Sequence, residues 1–159
     1  ILNADIHILP LAVEQLETHL YGLDKAVIVG PQGTHLDFKN LSIIKYFEKG
    51  TFNEPVQTHD VSGFLFAIHL ERYLKHHLMF DVQFSPCFYE EWDMGLQVMK
   101  AGLACYAVPV KDFEHHWGAS QDDDLSINYF GRQITRKEIM SGNKERFVAK
   151  WLQPASKEK

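Results

Sequence analysis

The feature that most constrains the fold of this chain is a run of β-branched residues, KAVIVGP, at residues 25–31. Glycine and proline bound the run, so it predicts a central β-strand. Apolar residues recur at helical spacing after Pro10 and predict a helix that ends near Gly22. Because strand-like and helix-like segments alternate along the rest of the chain, the sequence predicts an α/β layered domain with a largely parallel sheet.

Further elements follow from the same patterns. We expect strands at residues 1–5, 59–69, 103–109 and 110–116. We expect helices at residues 41–49, 70–77, 88–102 and 134–152, and a loop at residues 32–40. The last helix is expected to break at Gly142 and Asn143. Gly63 falls inside a predicted strand, where a glycine marks a bulge or a close approach by another backbone or a ligand.

Length and charge limit the classes of function. The chain has 159 residues, which corresponds to one domain or to part of a larger one. Its net charge of -5 argues against non-specific binding to nucleic acid, because such binding needs a basic face. No apolar run approaches the length of a membrane span, and we expect a cytoplasmic protein or one peripheral at the inner face of the membrane. The opening at Ile1 rather than at Met predicts a fragment or a processed product.

The segment FYEEWDMGLQVMKAG at residues 88–102 is where we expect chemistry. Read as a helix, it has one apolar stripe, formed by Trp92, Leu96, Met99 and Leu103. Three carboxylates, Glu90, Glu91 and Asp93, crowd into the first turn and a half. Two interpretations stay open: an acidic helix start that the helix dipole favours, or a general base held at the rim of a cleft.

Asp5 and the pair His115-His116 are candidate metal ligands. They lie at the ends of predicted strands, and ligands in open α/β sheets bind beyond the carboxyl ends of strands. Asp5 is alternatively a helix cap or turn carboxylate, and either histidine is alternatively structural. Together with two diphosphate oxygens, an aspartate and a histidine make an octahedral site for Mn²⁺ or Mg²⁺.

A series of short motifs runs through the chain in a distinctive order. They are ILNAD at residues 1–5, VIVGP at 27–31, VSG at 61–63, MFD at 79–81 with Phe84, YEEWD at 89–93, AG at 101–102, VP at 108–109, His115 before Ser120, and Asn143, Phe147 and KW at 150–151. In this order the chain resembles, over residues 1–152, the back half of the family 2 nucleotide-sugar glycosyltransferases, which have the GT-A fold. The resemblance implies a partial GT-A-like, Rossmann-related layered sheet with flanking helices, without the nucleotide-binding front half. A frayed tail at residues 153–159 would follow.

The resemblance also implies the metal and donor residues. The aspartate that ends the family's metal-binding motif falls on Asp5, with Asn3 at a position where many relatives carry Asp or Asn. The histidine that helps to hold the metal or the diphosphate falls on His115, and His116 is an adjacent alternative. The implied cofactor is Mn²⁺ or Mg²⁺, and the implied donor is a nucleotide sugar.

The family's catalytic base falls on Glu91, with Glu90 and Asp93 beside it. On the acceptor side the resemblance implies Gly63, Trp92 and Trp117. The chain departs from the family in two places, since Glu91 replaces the usual Asp and Gln97 stands where relatives often carry Arg.

The implied activity is inverting transfer of a sugar from a nucleotide diphospho-sugar to a hydroxyl of a saccharide or a lipid-linked acceptor, as in bacterial-type polysaccharide synthesis. We expect the chain to be inactive by itself and to self-associate through an exposed sheet edge. The alternatives are a non-catalytic glycosyltransferase-like domain that binds a sugar or a protein and, less favoured, a metal-dependent hydrolase.

Overall fold

A computed structural model describes residues 1–116 and 126–152 of the chain as a mixed α/β protein with several small sheets. The strands are β1 (Ile6–Ile8), β2 (Ala26–Gly30), β3 (Gly33–Asp37), β4 (Ser42–Phe47), β5 (Val56–Thr58), β6 (Asp60–Val61), β7 (Ala67–Ile68), β8 (Ala104–Ala107), β9 (Phe113–His115), β10 (Ser126–Tyr129) and β11 (Arg132–Thr135). The helices are α1 (Ala12–Gly22), α2 (Leu70–Lys75), α3 (Glu90–Lys100) and α4 (Arg136–Trp151), with a 3-10 turn at Val82–Phe84. No helix among these residues is long and apolar enough to cross a membrane.

The predicted central strand is confirmed as β2. Every residue of β2 is buried, and the strand lies inside a four-stranded sheet of order β5-β8-β2-β7. Within this sheet β2 and β8 run parallel, whereas β7 and β5 pair antiparallel with them. The prediction of a largely parallel sheet is therefore wrong. A parallel pair needs a long crossover, and the chain after β2 forms a hairpin instead.

That hairpin, β3 and β4, replaces the loop predicted at residues 32–40 and the helix predicted at residues 41–49. The turn between the strands is closed by Asp37, whose Oδ1 accepts the backbone N–H groups of Lys39 at 2.9 Å and Asn40 at 3.1 Å. The sequence SIIKYF of β4 is rich in β-branched and aromatic residues, which suit a half-buried strand. The polar composition of the first strand concealed the hairpin.

The strand predicted at residues 59–69 is two short strands that belong to different sheets. β6 pairs with β3, and β7 pairs with β2, so the chain changes sheets between them. Gly63 lies in this connection. As the chain changes sheets, the connection passes over the first turn of α3, where Gly63 contacts Glu91.

The segment before β1 forms one isolated bridge at Leu2 rather than the strand predicted at residues 1–5. The first strand is β1, which pairs antiparallel with β9 so that Ile6 lies opposite His115. The strand predicted at residues 110–116 is confirmed by β9, and that predicted at residues 103–109 by β8. The pairing of β1 with β9 places Asp5 beside the end of β9.

α3 confirms the predicted helix but buries a different face. Its buried residues are Asp93, Met94, Gly95 and Val98. Met99 is 44% exposed, so the predicted apolar stripe is not the inward face. Gly95 explains the rotation, because a Cβ there would lie 1.9 Å from the carbonyl oxygen of His59. The helix therefore packs on its glycine, directly against the backbone beside β6.

α4 is continuous through Gly142 and Asn143, so the predicted break is wrong. A capping box starts the helix, in which Thr135 and Glu138 each accept the other's backbone N–H. Asn143 is fully buried, and its side chain bonds to carbonyls outside the helix instead of competing with the helix backbone.

Two apolar clusters make the core on either side of the main sheet. One joins α1 to the sheet through Leu16, Leu20 and Val29. The other joins α3 to the sheet through Met94 and Val98. The helices predicted before β2 and at residues 70–77 are confirmed as α1 and α2. α1 and α3 thus cover opposite faces of the sheet, and α3 carries its first turn to the rim.

Candidate functional site

A cavity of about 540 Å³ opens where the hairpin of β3 and β4, the start of α3 and the end of β9 meet. We call it the central cavity. The residues of the sequence-predicted site that line it are Asn3, Asp5, Gly63, Glu90, Glu91, Trp92 and His115. Residues far apart in the sequence therefore share one cavity, although the sheet that carries them differs from the predicted one.

Asp5 and His115 are in contact at one side of the central cavity. His115 Nε2 lies 3.3 Å from Asp5 Oδ2, and the two side chains are 8% and 35% exposed respectively. The imidazole is stacked on Phe64 with 4.4 Å between ring centroids. The backbone N–H of His116 also donates to the Asp5 carbonyl at 3.1 Å. The pairing of β1 with β9 therefore holds Asp5 and His115 beside each other.

The pair Asp5 and His115 provides a partial metal site. Asp5 Oδ1 is buried, and it has no hydrogen-bond partner among the described residues. In the parts of the chain that the structure describes, no group of three or more His, Cys, Asp or Glu side chains is placed to hold a metal ion. Because Mg²⁺ and Mn²⁺ prefer six ligands, diphosphate oxygens and water would have to complete the coordination.

Glu91, which also lines the central cavity, is held against the backbone at Gly63. Its Oε1 accepts the backbone N–H of Gly63 at 3.2 Å. A Cβ at Gly63 would lie 2.8 Å from the same oxygen, so the glycine leaves the space that the carboxylate occupies. The close approach expected at Gly63 is thus made by a carboxylate of this chain.

Burial dominates the protonation of the carboxyl groups in the central cavity. It raises the pKa of Glu90 to about 8, with the charge of Glu91 as the second cause. Burial also raises the pKa of Glu91, while the N–H of Gly63 opposes the rise. Desolvation is therefore the largest cause of the raised pKa of each glutamate, and it outweighs the hydrogen bonds that favour the charged forms.

Asp60, at the start of β6, is a third carboxyl group in the cavity and was missed by the sequence analysis. Its pKa is raised to about 7, chiefly by burial and in part by the charge of Glu91. The backbone N–H and the hydroxyl of Thr34 donate to Asp60 Oδ1 at 2.8 and 2.7 Å, and both bonds oppose the rise. No local pattern marks Asp60, because its burial depends on the hairpin that the sequence did not predict.

Asp93 lies away from the central cavity, on the face of α3 that meets α4. It is 1% exposed. Its carboxylate accepts the indole N–H of Trp151 at 2.7 Å and the amide of Gln97 at 2.7 Å, and Lys150 Nζ lies 2.7 Å from Oδ1. Gln97, which lies on the same helix, therefore pairs with Asp93, one of its acidic residues. The structure does not bring Asp93 together with Glu90 and Glu91 in the cavity.

Two predicted residues, His116 and Trp117, remain. His116 is exposed and follows β9, and it is not among the residues that line the central cavity. Trp117 lies outside the described residues. Tyr46 and Arg136 line the cavity but were not predicted, because they reach it from β4 and from the start of α4.

The loop that precedes α3 has an uncommon backbone conformation, and it sets the direction in which the first turn of the helix starts. Phe88 and Tyr89 both have positive φ, at 73° and 71°. Asn143 of α4 holds this loop through its Nδ2, which donates to the carbonyl oxygens of Phe84 at 2.7 Å, Cys87 at 2.7 Å and Phe88 at 3.1 Å. The position of the carboxylates on α3 therefore depends on α4.

Comparisons of the chain with protein-family models, with curated proteins and with solved structures give no match. No GT-A or Rossmann-like fold is identified in this way. What the site can do chemically follows from its geometry: a half-buried carboxylate pair and an aspartate–histidine pair line one cavity that is large enough for a substrate.

Proposed function

We propose that this chain forms the metal and acceptor half of an inverting glycosyltransferase with a GT-A-like fold. The reaction would move a sugar from a nucleotide diphospho-sugar to an acceptor hydroxyl. The observation that supports it is that Glu91 and the Asp5–His115 pair line the same cavity. The order of motifs along residues 1–152, which resembles the family 2 enzymes, is the reason for preferring sugar transfer to other reactions of a carboxylate.

In this reaction Glu91 accepts the proton of the acceptor hydroxyl while the hydroxyl oxygen attacks the anomeric carbon. The new carbon–oxygen bond forms as the bond from that carbon to the diphosphate breaks. The nucleoside diphosphate leaves with the electron pair of the broken bond, and attack from the opposite face inverts the anomeric centre. The N–H of Gly63 orients the Glu91 carboxylate for this proton transfer.

Glu90 sets the charge of its neighbour. Because burial and the charge of Glu91 raise the pKa of Glu90 to about 8, Glu90 keeps its proton near neutral pH. The hydrogen bond between them raises the pKa of Glu90 and lowers that of Glu91, and the N–H of Gly63 also favours a negative Glu91. Glu90 is therefore the proton donor in the pair, and Glu91 is the base.

Asp5 and His115 are the residues that would hold Mn²⁺ or Mg²⁺. A carboxylate and an imidazole suit Mn²⁺ in particular, and Asp5 Oδ1, which has no hydrogen-bond partner among the described residues, offers a buried oxygen to the cation. When bound, the cation would neutralise charge on the departing diphosphate.

A non-catalytic domain that binds a sugar or a protein is the second candidate. A domain that only binds needs no complete metal site, and among the described residues no group of three or more His, Cys, Asp or Glu side chains is placed to hold a metal ion. A metal-dependent hydrolase is a weaker third candidate, since the described residues offer no cluster of three ligands.

Titration with a panel of nucleotide sugars, with Mn²⁺ and with EDTA, separates these candidates. The protein should be the longest polypeptide that its gene encodes, with product masses measured after addition of acceptor extracts. We expect donor binding that Mn²⁺ strengthens, loss of that effect in Asp5→Asn, and no loss in the exposed control Asp24→Asn.

Sugar transfer to an acceptor would support the proposal. Sugar binding that ignores Mn²⁺ and leads to no transfer would favour the binding domain. Release of free sugar without an acceptor would favour the hydrolase.

A further inference from the structure

A groove leads out of the central cavity along the first turn of α3. It has a volume of about 500 Å³, and we call it the side groove. Tyr46, Phe88, Glu91 and Trp92 line both the central cavity and the side groove. The two spaces therefore adjoin, and Glu91 is one of the residues that they share.

One wall of the side groove is a fixed aromatic surface. The rings of Tyr89 and Trp92 meet edge to face, with 5.1 Å between their centroids. Both rings also pack against Phe147 of α4, at 5.5 and 6.0 Å between centroids, and Phe147 is fully buried. Because these contacts restrain the rings before any ligand arrives, binding there costs little side-chain entropy.

The opposite wall comes from the hairpin. Tyr46 of β4 is 53% exposed, and Leu41 and Ile43 lie beside it along the groove. A phenol ring combines an apolar face with a polar rim, which suits a ligand that is itself amphipathic.

Charged groups also line the side groove. Glu91 and Arg136 line both this groove and the central cavity, and the Arg136 guanidinium lies over the ring of Phe88, at 5.3 Å from the ring centroid. An aliphatic chain against the Glu91 carboxylate would displace water from it without offering hydrogen bonds, which is costly. The hydroxyl groups of a sugar offer those bonds, while the C–H faces of its ring pack on aromatic side chains.

We propose that the side groove is a second saccharide subsite, so that the acceptor is an oligosaccharide of two or more units rather than a single sugar. The inference rests on the proposed function, in which the terminal acceptor unit presents its hydroxyl to Glu91. The unit that precedes it in the acceptor lies between Tyr46 and the surface of Tyr89 and Trp92.

The test is retention of the full chain on immobilised glycans that run from monosaccharides to tetrasaccharides of varied composition, with a dodecyl surface alongside. No donor is added, so the measurement does not depend on turnover. We expect retention to rise from monosaccharides to longer glycans. Tyr46→Ala should weaken retention on the longer glycans by about threefold to tenfold, the effect of losing one aromatic contact.

Phe130→Ala is the matched control. Phe130 is an aromatic residue that is 93% exposed and lines neither the central cavity nor the side groove. This variant should retain glycans as the wild type does. Thermal unfolding of both variants checks that each one is folded.

The subsite is contradicted by equal retention of monosaccharides and longer glycans, by no retention on any glycan, by retention on the dodecyl surface alone, or by a Tyr46→Ala variant that behaves as the control does. The proposed function fails differently. A chain that retains oligosaccharides but never transfers sugar keeps the subsite, whereas an enzyme that uses single sugars as well as oligosaccharides keeps the function and loses the subsite.

Discussion

The backbone N–H of Gly63 donates to Oε1 of Glu91 at 3.2 Å, and the position has no room for a side chain on that side. A main-chain group on the connection between β6 and β7 therefore orients a carboxylate on α3. Such a contact fixes the carboxylate without adding a charged partner, which leaves Glu91 able to act as a base.

We expect Gly63→Ala to displace the Glu91 carboxylate. The added Cβ would lie 2.8 Å from Oε1, and the end of a side chain can move more easily than backbone can. Turnover should fall by about 10- to 100-fold, because a misplacement near 1 Å has that effect on a catalytic group. The free energy of unfolding should change by less than about 1 kcal/mol. Gly22→Ala is the control, since a Cβ there meets no atom within 4 Å. Equal turnover in the two variants would show that this contact does not position the base.

Stability should fall as the pH rises from about 7 to about 8. Burial raises the pKa of Asp60 to about 7 and of Glu90 to about 8, so the folded chain holds protons in this window that the unfolded chain has released. Folding therefore becomes less favourable as these protons are lost. His19 and His59, whose pKa values burial lowers, titrate below this window. Melting temperatures measured across the window test the sign, and Glu90→Gln should flatten the slope. A melting temperature that rises with pH in the wild type would contradict the protonated state of Asp60 and Glu90 in the folded chain.

Asn143→Ala should destabilise the protein and slow the reaction together. The variant removes the donor to three backbone carbonyls of the loop before α3, and a buried polar group without a partner costs about 1–3 kcal/mol. Urea unfolding measures the loss, and turnover per folded molecule measures the effect on α3. Lys144→Ala, at the exposed neighbouring position, should change neither. An unfolding free energy within about 0.5 kcal/mol of the wild type would mean that α4 does not hold the loop.

Asp93→Asn separates a structural carboxylate from a catalytic one. Asp93 is buried, accepts the Trp151 indole and pairs with Lys150, so the amide would leave the ammonium without its charge partner on that side. We expect a loss of about 2–4 kcal/mol in unfolding free energy. Turnover per folded molecule should stay within about threefold of the wild type, because a catalytic acid or base would account for 10² or more. A large loss of turnover in a stable protein would instead assign Asp93 to the reaction.

Local patterns predicted those elements whose apolar residues alone determine the structure. The apolar residues that form β2 are all buried, and α1, α2 and α3 were predicted from helical spacing. The hairpin of β3 and β4 was missed because His35 and Asp37 make a polar strand that is stabilised by pairing with its neighbours. The buried face of α3 was predicted wrongly for a related reason. Gly95 and the paired carboxylate of Asp93 point inward, and hydrophobic periodicity cannot identify either.

The candidate site shows the same division. Asp5, Glu91 and His115 were named from residue type and motif order, and they line one cavity. Asp60 and Tyr46 line the cavity because of the hairpin of β3 and β4, which the sequence analysis did not predict. The raised pKa values of Glu90 and Asp60 also depend on burial in the folded chain, which no spacing of residues along the sequence encodes.

The most direct measurement of the proposed catalysis is turnover of Glu91→Gln in the longest polypeptide that the gene encodes. The variant keeps the shape of the side chain and an oxygen for the N–H of Gly63, but it removes the proton acceptor. The control is Glu14→Gln, an exposed glutamate in the first turn of α1. We expect Glu91→Gln to lose about 10²- to 10⁴-fold in turnover with donor affinity unchanged, and Glu14→Gln to match the wild type. Near-normal turnover of Glu91→Gln would contradict general-base catalysis by Glu91 and leave it as an acidic residue at the start of a helix.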